Sequence, residues 1–188
     1  RVEWSRFYLS VLLLGTVLSA WAQLDERCVV NILNRTVQVA PDGGWALPNV
    51  PAFMGQLRAR ATCERDGLTV SGQSDYFSVT ENGTTDVGLI RFANIDPIPV
   101  ALEFAGILPV TLQGAGATSQ LTVTARYSNN TTKNVTPVIT GTNYASTNAA
   151  VATVSADGLI TAVASGNTLI TARKDGVIAF KQITVITS

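Results

Sequence analysis

The chain has 188 residues, 13 basic and 13 acidic side chains, no histidine, and a charged fraction of only 14%. That balance argues against a basic nucleic-acid binder. No block of like charge could act as an electrostatic tail, and without His the commonest general base and the commonest metal ligand are both missing. Abundant Thr, Val, Ala, Asn and Gly suit β-sheets with polar turns, and the length fits two small domains behind a leader.

The leader is predicted over residues 1–22. Arg1 to Arg6 is short and polar, Phe7 to Leu18 is apolar, and Ser19-Ala20-Trp21-Ala22 ends in an Ala-x-Ala arrangement. This is the three-part plan of a secretory signal peptide, with cleavage between Ala22 and Gln23. A spanning helix needs roughly 20 apolar residues, more than this run holds, so the membrane is met only during export. The chain begins with Arg rather than Met, and its true start is expected to be missing or misassigned.

A first module is expected over residues 23–96. Cys28 to Asn34 and Thr36 to Val39 read as strands. Pro41-Asp42-Gly43-Gly44 is a turn cluster, and Trp45-Ala46-Leu47 is a short apolar run broken by Pro48. From Gln56 to Cys63 alternation is strict: Leu57, Ala59, Ala61 and Cys63 share one face, and Gln56, Arg58, Arg60 and Thr62 the other. That is the pattern of a half-buried strand. Leu68–Ser71, Tyr76–Val79 and Val87–Phe92 supply further strands, and many short strands separated by turns predict a β-sandwich. The run from Val39 to Pro51, an Asp-Gly, aromatic, Asn-Val-Pro segment, resembles carboxypeptidase-regulatory-like domains, small transthyretin-like β-sandwiches. The resemblance implies no peptidase activity.

Cys28 and Cys63 both take the inward parity of their strands. In a secreted chain two cysteines read as one disulfide, closing a loop of about 35 residues worth roughly 3–4 kcal/mol. The alternatives are two buried free thiols or a Cys-based site. With two Cys and no His, a metal site of the usual composition cannot be built, and no cofactor is expected.

Residues 97–105 are expected to hold a linker and the first strand of a second module, residues 106–188. Pro97 and Pro99 keep the linker extended. Pro109 places the strand Ile107–Leu112 at a sheet edge. Leu121, Val123, Ala125 and Tyr127 alternate toward a core, and Ser128-Asn129-Asn130-Thr131 is a polar hairpin tip. Val151–Val154 and Leu159–Ala164 flank Asp157-Gly158, which predicts a type I′ hairpin turn. Thr168–Ala172 and Ala179–Ile186 follow. Leu121-Thr122-Val123-Thr124-Ala125, Val135-Thr136, Ser146-Thr147-Asn148, Val151 to Val154 and Asp157 to Ala162, in this order, resemble a bacterial immunoglobulin-like domain of group 2, over Gly106 to about Thr187. Tyr144 stands where that family usually has Trp, and Ala149 where it usually has Pro. The resemblance implies a spacer or adhesive module of bacterial surface and secreted proteins.

Chemistry is sparse. Most carboxylates adjoin Gly, Asn or Pro, where turn formation explains them. Asp86 and Asp96 could hold a structural Ca²⁺, though solvated turn carboxylates are the simpler reading. Serine nucleophiles lack a His partner, and no Gly-x-Ser-x-Gly elbow exists. Arg58 and Arg60, with Arg65 nearby, are candidates for a small anionic-ligand patch, against the plainer reading of a solvated sheet face. Trp45 is the candidate ring for stacking a sugar, and Tyr144 reads as core. The expected protein is therefore all-β: two tandem Ig-like β-sandwich domains after an N-terminal signal helix. It is non-enzymatic, and secreted or at the cell surface. Its partners are other proteins, copies of itself through strand edges, or surface glycans. The alternative is a carbohydrate-binding module accessory to a larger secreted enzyme.

Overall fold

Alternation written in the sequence becomes strand faces in the computed structural model, which describes residues 23–92, 95–106 and 110–187. The leader and its signal helix lie outside the described residues. The chain forms two compact units, one of residues up to Asn49, Ala59–Asp75 and Val87–Ile95, the other of Val50–Arg58, Tyr76–Asp86 and Asp96 onward.

The first unit holds strands β1 (Cys28–Ile32), β2 (Arg35–Gln38), β4 (Arg60–Arg65) and β5 (Leu68–Gln73), while β3 (Gln56–Leu57) and β6 (Phe77–Ser78) belong to the second. The four strands make one antiparallel sheet in the order β2-β1-β4-β5. Cys28, Val30, Ile32, Ala61 and Cys63 are buried on its inner face. Asp66 and Gly67 both take positive φ, 51° and 76°, the backbone of a two-residue type I′ turn, and this fixes Arg65 opposite Leu68. The 56–63 alternation survives, with Leu57, Ala59, Ala61 and Cys63 all buried. The ladder does not, because Ala59 leaves it: its N–H donates to the Ser74 hydroxyl at 3.0 Å and its carbonyl accepts from the Ser74 N–H at 2.9 Å. The strand expected over Val87–Phe92 shrinks to one bridge, in which Arg91 exchanges two backbone hydrogen bonds with Gln73, at 3.0 and 2.9 Å. Gly88, at φ 72°, interrupts the extended run. Trp45–Leu47 forms no strand.

The second unit is a sandwich. One sheet runs β12 (Asn143–Ser146), β15 (Gly166–Lys174), β16 (Val177–Ile186), β8 (Val110–Gln113). Facing it are β11 (Thr132–Asn134), β10 (Val123–Tyr127) and β7 (Pro99–Phe104), and beside these β13 (Ala152–Val154), β14 (Leu159–Ala162) and β9 (Thr118–Gln120). β8 is an edge strand and pairs in parallel with β16, Val110 opposite Ile183. Every other pairing within the unit is antiparallel. Two apolar clusters fill the space between the layers. Leu112, Leu121, Ile160, Ile170 and Ile183 centre one, and Leu102, Val123, Ala125 and Val135 the other. Phe104 and Tyr144 pack against both. β7, in the segment expected to hold the first strand, pairs with β10.

The Asp157-Gly158 turn differs from the expected type I′ form. Gly158 has φ 78°, and Asp157 is absent from the residues of positive φ. Ser155 and Leu159 pair across the turn: the Ser155 N–H donates to the Leu159 carbonyl at 2.8 Å, and the Gly158 N–H to the Ser155 carbonyl at 3.0 Å. This is a three-residue loop, a type I turn closed by one left-handed glycine. Asp157 is freed for another task, and its carboxylate accepts from the Val138 N–H at 2.9 Å. The true type I′ turn is Asp175-Gly176, at φ 47° and 86°, which joins the two longest strands, β15 and β16. Among the described residues, no helix is long and apolar enough to cross a membrane.

Candidate functional site

β15 alternates with Thr168, Ile170, Ala172 and Lys174 facing inward. The pattern carries a lysine to the end of the core, where only 6% of the residue stays exposed. A buried ammonium needs all three of its hydrogens satisfied, and Lys174 Nζ reaches the Tyr76 hydroxyl at 2.5 Å, the Thr140 carbonyl at 2.5 Å and the Asp175 carboxylate at 3.1 Å. The Tyr76 hydroxyl donates in turn to the Thr140 carbonyl at 2.8 Å. Gly141 makes this approach possible. It has φ 81°, and a β-carbon there would lie 2.2 Å from the Tyr76 ring.

The face of the same ring carries Arg58, whose guanidinium carbon sits 3.8 Å from the centroid, a cation–π contact. Arg58 is also ion-paired to Asp96, and the partners are unequally buried: 13% of the Arg58 side chain is exposed against 56% of Asp96. Arg58, Tyr76, Asp96, Tyr127, Lys133, Thr140 and Lys174 line a cavity of about 390 Å³, together with Pro97, Thr131, Thr132, Val135 and Ile139. Burial pushes the Tyr127 phenol above its ordinary value, with the Lys174 charge opposing. Among the described residues, three cations line the cavity against one carboxylate, Asp96.

Arg58 lies in the second unit, next to β3, and Arg60 lies in β4 of the first. Arg65 is buried, ion-paired to Asp25 at 3.1 Å and bonded to the Gln23 carbonyl. Trp45 is half-buried in the irregular segment after β2. Asp96 pairs with Arg58, and no group of three or more His, Cys, Asp or Glu that could hold a metal occurs among the described residues. Cys28 and Cys63 are joined in a disulfide. They are direct cross-strand partners in β1 and β4, and the Glu64 N–H bonded to the Arg27 carbonyl beside them makes theirs the closer, non-hydrogen-bonded kind of pair. Tyr144 fills the core, its hydroxyl donating to the Thr136 carbonyl at 2.9 Å. Sequence reading missed Lys174, Tyr76 and Lys133. The available signal was a lysine at inward parity in a strand. Lys181 repeats it: 3% exposed, its ammonium on the Ala105 carbonyl at 2.7 Å.

Residues 110–185 match the family model of the bacterial Ig-like domain, group 2. The match runs from β8 to β16 and leaves out β7. Among solved structures, the chain is similar to domains 4–9 of the surface layer protein SbsC at 19% identity and a TM-score of 0.41, over 88% of this chain and 23% of that one. It is similar to domains 4 and 5 of the same protein at 19% identity and a TM-score of 0.40, over 85% of this chain and 70% of that one. The chain thus spans under a quarter of the length of the first of these structures. None of the curated proteins matches it.

Proposed function

We propose that the chain is a non-enzymatic structural or adhesive module, exported to the cell surface or the extracellular space, where it acts as a spacer and interaction domain. The observation that carries this reading is the β-sandwich of the second unit, with residues 110–185 matching a bacterial Ig-like domain. Such sandwiches hold their loops and edges on a stiff scaffold. Two further facts support it. The Cys28–Cys63 disulfide suits an oxidising compartment, and a chain without histidine has few routes to general-base chemistry at neutral pH. In this reading residues 1–22 are a cleaved signal peptide. Residues 23–96 are a carboxypeptidase-regulatory-like module, supported by the Val39–Pro51 motif and the four-stranded sheet that the disulfide ties.

Export and thiol state test the reading together. Expressed with its leader in a bacterial host, the chain is expected outside the cytoplasm, beginning at Gln23, with no free thiol until it is reduced. An uncleaved cytoplasmic chain with two titratable thiols would contradict it.

A further inference from the structure

We propose that the cavity beside Tyr76 is a binding site for a carboxylated sugar of the hexuronate class. The site goes beyond the spacer role and does not depend on it. Its centre is Arg58. The guanidinium is immobilised on the Tyr76 ring at 3.8 Å, and its pairing carboxylate is supplied by Asp96, a side chain more than half exposed. Asp96 meets the mostly enclosed guanidinium from the solvent side, so a ligand carboxylate arriving from solvent can compete for the same group. A ligand carboxylate in its place keeps the charge-assisted pair and returns Asp96 to water. The Arg58 Nε is buried and has no acceptor among the described residues.

The rest of the cavity fits a sugar better than a bare anion. Lys174 is fully engaged by Tyr76, Thr140 and Asp175, so it contributes field rather than a free hydrogen. Lys133 is exposed at the rim, with no ion-pair partner among the described residues. Thr132 offers a hydroxyl at the same rim, while Pro97 and Val135 add apolar wall. A volume of about 390 Å³ lies within the range of small-ligand sites. A hexuronate brings one carboxylate, several hydroxyls and an apolar C–H face, and each has a counterpart here.

Calorimetric titration of the full chain with glucuronate tests the site, with glucose and inorganic phosphate as controls. Glucuronate is expected to bind with Kd on the order of 1 mM, more weakly as salt rises, and both controls at least about tenfold more weakly. D96N removes the competing carboxylate and is expected to tighten glucuronate binding about three- to tenfold. K133A, on an exposed side chain, is expected to weaken it about threefold. No glucuronate binding at millimolar concentration, equal binding of glucose or phosphate, or weaker binding by D96N would overturn the proposal. If D96N loses its folded near-UV circular dichroism, K133A and the two controls decide the matter.

Discussion

Tyr144 shows how one side chain can join two cores. Its ring packs against both apolar clusters of the sandwich, its hydroxyl reaches the Thr136 carbonyl, and Gly158 leaves room for it, since a β-carbon there would lie 3.2 Å from the ring. Burial raises its pKa to about 12 from 10.0. The unfolded chain therefore releases this proton first. The stability contributed is whole below pH 10.0, falls as pH rises, and is gone above about 12. Tyrosinate absorbance in a pH titration should show a group ionising near pH 12 in the native protein, and its loss in Y144F would assign it. Tyr144 was legible as core from its place in the Ig-like pattern. The cluster around Tyr76 was not, because Arg58, Tyr76, Asp96 and Lys174 are far apart in sequence and only the folded chain brings them together. Period-two parity marks which face a residue occupies; it does not say which distant residues share that face.

At the scale of elements, the disulfide ties the two central strands of the first sheet, β1 and β4. Closing a loop between residues 35 apart should stabilise that unit by roughly 3–4 kcal/mol. C28S/C63S is expected to lower the first unit's unfolding transition by this amount in denaturant titrations, leaving the cysteine-free second unit unchanged. Parity alone placed both cysteines inward, so this contact was readable. Strand ends were less so. Gln56–Cys63 keeps one buried face yet divides into β3 and β4, because Ser74 takes the backbone hydrogen bonds of Ala59. The parallel pairing of β8 with β16 joins residues at opposite ends of the sandwich sequence, and no local pattern encodes a partner at that range.

At the scale of the whole chain, each sheet among the described residues has edge strands, and balanced charge, 13 basic against 13 acidic side chains, provides no net repulsion between copies. β2 is a clear example of an edge. The Val39 N–H donates to the Cys28 carbonyl, which sets the hydrogen-bonding parity against β1. Thr36 and Gln38 therefore point their N–H groups away from β1, where another strand can add. T36P removes one of those donors without breaking the β1–β2 ladder.

Size-exclusion chromatography with light scattering on residues 23–188, disulfide intact, is the most direct measurement of the central claim that the chain works as a structural interaction module. The wild type is expected to form assemblies that grow with concentration, and T36P to shift toward monomer. A wild type that remains a monodisperse monomer at high concentration, or a T36P variant that assembles as the wild type does, would contradict association through strand edges, and a monomer would favour the spacer role.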